Sequence, residues 1–335
     1  MEIKSRIFEK YTDFKFNIPL FNNDKVVIKE GNINVGDILL KRSQSTLKKS
    51  LYVPKMLNCK VEESEKYLLR MDGEYVERDE ILAKKLASSG LTFTEITCPV
   101  SGVLELSRIK QGYIDILGEE VESVFKSDFT GYVNGINPTD GLTITSNAVC
   151  VDGVVSTKSS GKLFGNLEIL GDGESILTES SLDVDYTGKI VWVGPYLYNR
   201  VAVELFERGA IAILTYSMSY NEFRNIGLPI MILGGFGSVH CDSLFLNRII
   251  SLKGKFVIVD CSENQLFVVT DSDIKNKGWF VDMYINQHVI SRSTLTNGYI
   301  GRVLEYDQDS GMVMVDFGKK GTSLIHLGLL DFIDL

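Results

Sequence analysis

Glu30-Gly31-Asn32-Ile33-Asn34-Val35-Gly36-Asp37-Ile38-Leu39 has a counterpart further along the chain, Asp72-Gly73-Glu74-Tyr75-Val76-Glu77-Arg78-Asp79-Glu80-Ile81-Leu82-Ala83. Each phrase opens on a glycine turn, places an apolar residue shortly after it, then a polar pair, then Ile-Leu. A chain written this way turns, tucks one side chain inward, turns again and runs into a strand. Glycine supplies the positive φ that such turns need.

Around these phrases the pattern stays β. Phe14, Phe16, Ile18 and Leu20 alternate with polar residues, the period of a half-buried strand. Cys98-Pro99-Val100-Ser101-Gly102-Val103-Leu104 and Gly112-Tyr113-Ile114-Asp115-Ile116 read as a hairpin, and Phe129-Thr130-Gly131-Tyr132-Val133 repeats its small-Gly-apolar theme. Residues 57–69 predict a short helix, and 142–151 and 163–170 further strands. The polar, Gly-tipped stretch 156–162 predicts a mobile or ligand-facing loop. On its glycine-turn phrases and the Pro99…Gly102-Val103 strand, the stretch 28–118 resembles the barrel-sandwich hybrid of biotinyl/lipoyl-like domains. The resemblance implies a fold without the chemistry. Carrier domains of that type hold their cofactor on a lysine in a tight hairpin; the nearest imitation, Pro54-Lys55-Met56, has a proline ahead of the lysine and lies between the two phrases.

The middle of the chain changes period. Residues 189–193, 210–216, 228–233 and 255–260 are apolar runs of strand length, and between them 201–208, 220–224 and 241–252 have helical spacing. In the last helix Leu246, Ile249 and Ile250 face the core. Gly209 and Gly227 stop the first two. Strands alternating with helices predict βαβ units and a mainly parallel sheet. Beyond residue 280 the chain returns to strands at 280–285, 287–291 and 312–317. Asn297-Gly298-Tyr299-Ile300-Gly301-Arg302-Val303 followed by a second short strand resembles a KOW-type SH3-like barrel over residues 295–335. The family commonly binds RNA or docks on ribosomal and transcription proteins. The order of all three parts resembles a bacterial multidomain family with no settled activity.

Length and charge narrow the function. A chain of 335 residues is too long for one core and predicts two or three domains. It carries 35 Lys+Arg against 44 Asp+Glu, a net charge of -9, and the first 127 residues are balanced, so the whole acidic excess lies after them. No part has the basic excess of a phosphate-backbone binder. Residues 1–20 lack the apolar core of a signal peptide, and the longest apolar run, 228–233, is far too short to span a bilayer. The five cysteines form no Cys-x-x-Cys pair and predict buried free thiols in a cytoplasmic protein. Only three histidines occur, His240, His288 and His326, which argues against a His-rich metal site and leaves few candidates for a general base; no metal and no cofactor are expected.

Candidate sites are few. Gly234, Gly235, Gly237 and Ser238 lie between a predicted strand and a helix, where backbone N–H groups and the helix dipole could hold an anion and Ser238 could cap the helix. The full dinucleotide fingerprint is missing. Gly153 to Lys162 imitates a phosphate loop with the wrong spacing, and Leu163 stands where Ser or Thr would hold magnesium. Cys241 beside His240 reads as a buried thiol, since consecutive helix residues point apart. Lys41, Arg42, Lys48, Lys49, Lys55 and Lys60 form the one basic run without an acid between them, a candidate contact for nucleic acid or an acidic partner. Arg302, Lys319 and Lys320, with Tyr299, Tyr306 and Phe317, are the residues through which the KOW-like part could touch RNA. The carboxylate pairs Asp183/Asp185 and Asp271/Asp273 read as solvent-facing charge.

The fold class expected is mixed β and α/β. A barrel-sandwich-like β domain (1–127) leads into a β segment and a small α/β domain with a mainly parallel sheet (128–260), then an SH3-like KOW barrel (261–335). The function expected first is a non-enzymatic cytoplasmic adaptor or scaffold acting through protein–protein contacts, possibly self-assembling. An RNA- or ribosome/transcription-associated factor is the second reading. A small-ligand or nucleotide-binding protein using the Gly234 loop is the third.

Overall fold

The computed structural model describes residues 7–21, 24–86, 92–137, 139–157, 161–178, 182, 185–270 and 284–335. The chain is mostly β, 49% strand against 15% helix, in mixed sheets. The first elements are β1 (Ile7–Ile18), β2 (Asp24–Val26), β3 (Gly31–Ile33) and the long β4 (Ile38–Tyr52). Helix α1 (Val53–Leu57) and a 3-10 turn, Val61–Tyr67, take up much of the predicted 57–69 helix. Then come β5 (Tyr75–Val76), β6 (Ile81–Leu86), β7 (Phe93–Thr97), β8 (Gly102–Glu105), β9 (Tyr113–Lys126), β10 (Gly131–Asn137) and β11 (Gly141–Asp152).

The two glycine phrases are two copies of one motif, and one copy sits inside the other. β3 pairs antiparallel with β10, Ile33 opposite Gly131 and Asn32 opposite Tyr132. β5 pairs with β8 in the same register, Val76 opposite Gly102 and Tyr75 opposite Val103. At the next turn Gly36 N donates to Ser127 O and Ser127 N to Asp37 O; in the second copy Asp79 N donates to Cys98 O and Cys98 N to Glu80 O. Leu39 and Leu82 then enter their cores. Ile38 lies opposite Lys126 on the β4–β9 pair, and Ile81 opposite Thr97 on the β6–β7 pair. The β4–β9 ribbon of the outer copy thus stands where the β6–β7 hairpin stands in the inner copy, and it carries the whole inner copy at its end. Glycine is required at both strand starts, because a β-carbon would lie 2.7 Å from Thr145 O at Gly131 and 2.3 Å from Leu117 O at Gly102. Lys55 of the Pro54-Lys55-Met56 run lies in α1 and not at a hairpin tip.

The α/β part adds β12 (Val155–Ser156), β13 (Lys162–Ile169), β14 (Lys189–Trp192), β15 (Tyr196–Leu197), α2 (Asn199–Glu207), β16 (Ala212–Met218), α3 (Tyr220–Ile226), β17 (Ile230–Phe236), α4 (Ser243–Ile250), β18 (Phe256–Asp260) and β19 (Gln265–Val269). β13, β14, β16 and β17 are parallel neighbours in that order. β18 and β19 continue the sheet antiparallel beside β13, and β12 closes antiparallel on β17. Val201, Leu205, Phe206 and Ile226 pack α2 and α3 on one face against Val191, Ile213 and Ile230. α4 covers the other face with Phe245, Leu246 and Ile249 against Trp192, Leu214 and Met231. Ile250 only half-faces the core; Phe245, absent from the expected set, is buried and touches both Phe8 and Tyr216.

Strand pairing runs across residues 127/128 and 260/261. β1 pairs with β11 along its length, and β19 pairs with both β11 and β18. Phe256 on β18 gathers Phe16, Phe125 and Phe129 within 5.5–5.9 Å between ring centres, joining the outer copy to the central sheet. Aromatic pairs of this kind contribute about 0.5–1.5 kcal/mol each beyond their buried area.

The C-terminal part is an antiparallel sheet of β20 (His288–Ser291), β21 (Ile300–Asp307), β22 (Met312–Asp316), β23 (Thr322–His326) and β24 (Leu330–Ile333). Its order is β23-β22-β21-β20-β24. No pairing between described strands closes it into a barrel. The predicted strand 280–285 lies mostly outside the described residues. Ile7 on β1 pairs parallel with Ile333 on β24, and Lys10 meets Asp334 at 3.3 Å, so β1 meets this sheet at β24.

Candidate functional site

The Gly234 loop is built differently from the expected anion cradle. β17 runs on to Phe236 because β16 runs on to Met218 beside it, so Gly234 and Gly235 are strand residues. Gly237 N donates to Met218 O at 2.9 Å. Ser238 caps nothing: α4 begins at Ser243 and its cap is Asp242, whose carboxylate accepts from Leu244 N at 2.9 Å and from Ile300 N at 3.1 Å. A carboxylate already occupies the helix N-terminus, and a second anion there would be repelled.

The loop instead forms a seam with the C-terminal sheet. A β-carbon on Gly234 would lie 2.4 Å from the Tyr216 ring, so only glycine fits over it. Arg292 Nη1 donates to Gly234 O at 2.9 Å while its Nε donates to Asp331 at 2.7 Å. His240 stacks on Tyr299 at 3.8 Å between ring centres, and Lys320 Nζ lies 4.2 Å from the centre of the Tyr299 ring. The loop and Lys320, chosen separately in the sequence, therefore meet through one tyrosine. Burial, aided by the Lys320 charge, holds His240 below the ordinary imidazole range, and Asp242 opposes both. All five thiols are free and pushed up in pKa, burial being the largest cause each time; Cys261 reaches about 11.

The basic run is free of acid only along the chain. Arg42 donates to Asp24 from Nε and Nη2 at 2.8 and 2.6 Å, and to Pro19 O at 3.0 Å. Lys41 lies 4.0 Å from Glu122, Lys48 donates to Ser101 O at 2.9 Å, and Lys49 and Lys55 act on Glu207 of α2. Burial, with Glu204 beside it, raises the Glu207 carboxyl against those two lysines and Arg208. Arg302 stands opposite Asp316 and His288 in the sheet, and Lys319 is exposed at a turn. Lys162 pairs with Asp260 at 3.6 Å, and Asp185 accepts from Thr187 N at 2.9 Å. Asp183, Asp271 and Asp273 lie outside the described residues, as do 158–160 of the predicted loop. Among the described residues no group of His, Cys, Asp and Glu is arranged to hold a metal ion, and no helix is long and apolar enough to cross a membrane.

Two surfaces escaped the sequence reading. One lies in the inner copy, where Leu69, Met71 and Tyr75 are 57%, 79% and 63% exposed within one short segment. The other is the carboxyl edge of the parallel strands. There Tyr196 meets Tyr198 at 5.1 Å, and Phe236 meets Tyr220 at 5.1 Å and Phe223 at 5.3 Å. Tyr198, Tyr220 and Phe236 are exposed. The signal for this edge was present in Tyr196-Leu197-Tyr198-Asn199 directly after a buried strand. No protein-family model matches the chain, and none of the curated proteins matches it either.

Proposed function

We propose that the chain is a non-enzymatic cytoplasmic adaptor that binds another protein through its inner β copy. Its layout is read as a barrel-sandwich-like pair of nested β units, a small doubly wound α/β unit and an SH3-like KOW unit. The shared register of the two copies and the strand order β23-β22-β21-β20-β24 support that layout. The observation carrying the functional reading is the exposed trio Leu69, Met71 and Tyr75 within one short segment of the inner copy. Large apolar side chains clustered in water mark contact surfaces. Free thiols in place of disulfides support a reducing compartment.

The test places a photo-crosslinking amino acid at Met71 in the producing cell and compares it with one at exposed Lys319. A discrete adduct at 71, lost when Leu69→Glu and Tyr75→Glu are added, supports the reading. A purified chain that stays strictly monomeric by mass photometry and gives no adduct at 71 overturns it.

A further inference from the structure

We infer that the carboxyl edge of the parallel strands binds a nucleobase-bearing small ligand, a mononucleotide, with its base stacked on the aromatic rim and its phosphate held by Arg224. The carboxyl ends of parallel strands are where α/β sheets bind ligands in general. Here β15, β16 and β17 end side by side, Leu197 opposite Met218 and Met218 opposite Phe236. Leu197 and Met218 are buried, so the rings beside them stand over a firm floor. Tyr198, Tyr220 and Phe236 are exposed on three separate connections, and Tyr220 and Phe223 each meet Phe236 in an edge contact. Flat aromatic ligands stack on such rings whatever the base.

Polar groups beside the rings match the edge of a base. Asn199 Oδ1, next to Tyr198 at the start of α2, and Glu222 Oε2, in the first turn of α3, are buried without a hydrogen-bond partner. Glu222 lies close enough to Tyr196 for its charge to act on the phenol. A carboxylate accepts only, so the partner it calls for is an N–H, which the exocyclic amines and ring imides of bases supply. Arg224 lies one helical turn from Tyr220 on the same face of α3. Its guanidinium-bearing side chain is exposed. The Gly234 loop contributes through Phe236, and its amides play no part. This inference does not depend on the adaptor reading.

The test is a thermal-shift and calorimetric titration of the full chain with GMP, AMP, CMP, UMP, guanosine, ribose 5-phosphate and a four-nucleotide RNA. Millimolar mononucleotide should raise the melting temperature by mass action, and ribose 5-phosphate should not. Tyr220→Ala should weaken nucleotide binding about tenfold or more, read against the variant's own unliganded melt. Glu222→Gln should weaken it too. Arg224→Gln should weaken GMP and leave guanosine unchanged. No shift with any nucleotide overturns the inference. So does an equal shift with ribose 5-phosphate, binding of the RNA without the mononucleotides, or binding untouched by both Tyr220→Ala and Tyr198→Ala.

Discussion

Gly298→Ala tests whether the Gly234–Asp242 loop and the C-terminal sheet meet as closely as the seam requires. Gly298 has φ +82, and a β-carbon there would lie 1.9 Å from His240 O. Gly318, in the same sheet, has φ +63 and nothing within 4 Å of the same position. Both alanines carry the left-handed backbone cost, about 1–2 kcal/mol. Only Gly298→Ala must also push the His240 carbonyl away, an overlap costing about 1–3 kcal/mol more. That movement draws on the His240–Tyr299 stack and on the bond from Ile300 N to Asp242. Urea unfolding of both variants gives the difference. Amide hydrogen exchange at Ile300 locates it, since this N–H should lose protection in Gly298→Ala and keep it in Gly318→Ala. Equal losses of stability in the two variants, with Ile300 equally protected, would refute the close approach and with it the account of why residue 298 is glycine.

Three further outcomes follow from particular contacts. Asp115→Ala strands Arg108, which gives the carboxylate two bonds of 2.7 Å and reaches Phe206 O at 3.3 Å, so the protein should lose about 3–4 kcal/mol and the inner copy should come away from α2; a urea midpoint within error of wild type would count against this junction. Burial pushes the Asp24 carboxyl up, but Arg42 and the Phe21 N–H outweigh it, leaving its folded pKa below the unfolded one. Its stabilisation is therefore present above the unfolded carboxylate range and disappears as pH falls through the folded value. Arg42→Ala should flatten that acid limb of the stability curve, and a variant curve parallel to wild type in acid would contradict the pairing. Burial and Asp242 raise the Cys241 thiol, so iodoacetamide at neutral pH should label it far more slowly than the unfolded chain; rapid native labelling at Cys241 would contradict that.

What could be read in advance was whatever short stretches decide for themselves. The two glycine phrases announced their turns, and Gly209 and Gly227 marked the ends of α2 and α3, both with positive φ. Apolar runs of strand length gave the parallel strands to within a few residues. The partner of each phrase was out of reach. Ile33 lies against Gly131 because the whole inner copy has been threaded between them, and nothing local distinguishes that pairing from one with Gly102. Pairing that closes over an insertion depends on loop entropy and on fit at the far end, and neither leaves a local mark in the sequence.

The surroundings of the site residues were out of reach for the same reason. Gly-Gly-Phe-Gly read as a loop, since two adjacent glycines weaken any strand. Met218 on the neighbouring strand supplied the backbone partner that kept this one going. Ser238 and Asp242 are both able to cap a helix, and Asp242 holds the position while also accepting from Ile300 N, a residue far along the chain. The basic run had no acid in it, yet Asp24, Glu122 and Glu207 come to it across strands and from α2. A sequence window counts charges along the chain, whereas Coulomb attraction at hydrogen-bond range counts them through space. The lysines that stay unspent by that measure are those on turns facing water, such as Lys319. Some exposed rings sit where strands end and the sheet can no longer cover them. Tyr198, Tyr220 and Phe236 are such rings, and they share one edge because β15, β16 and β17 end together.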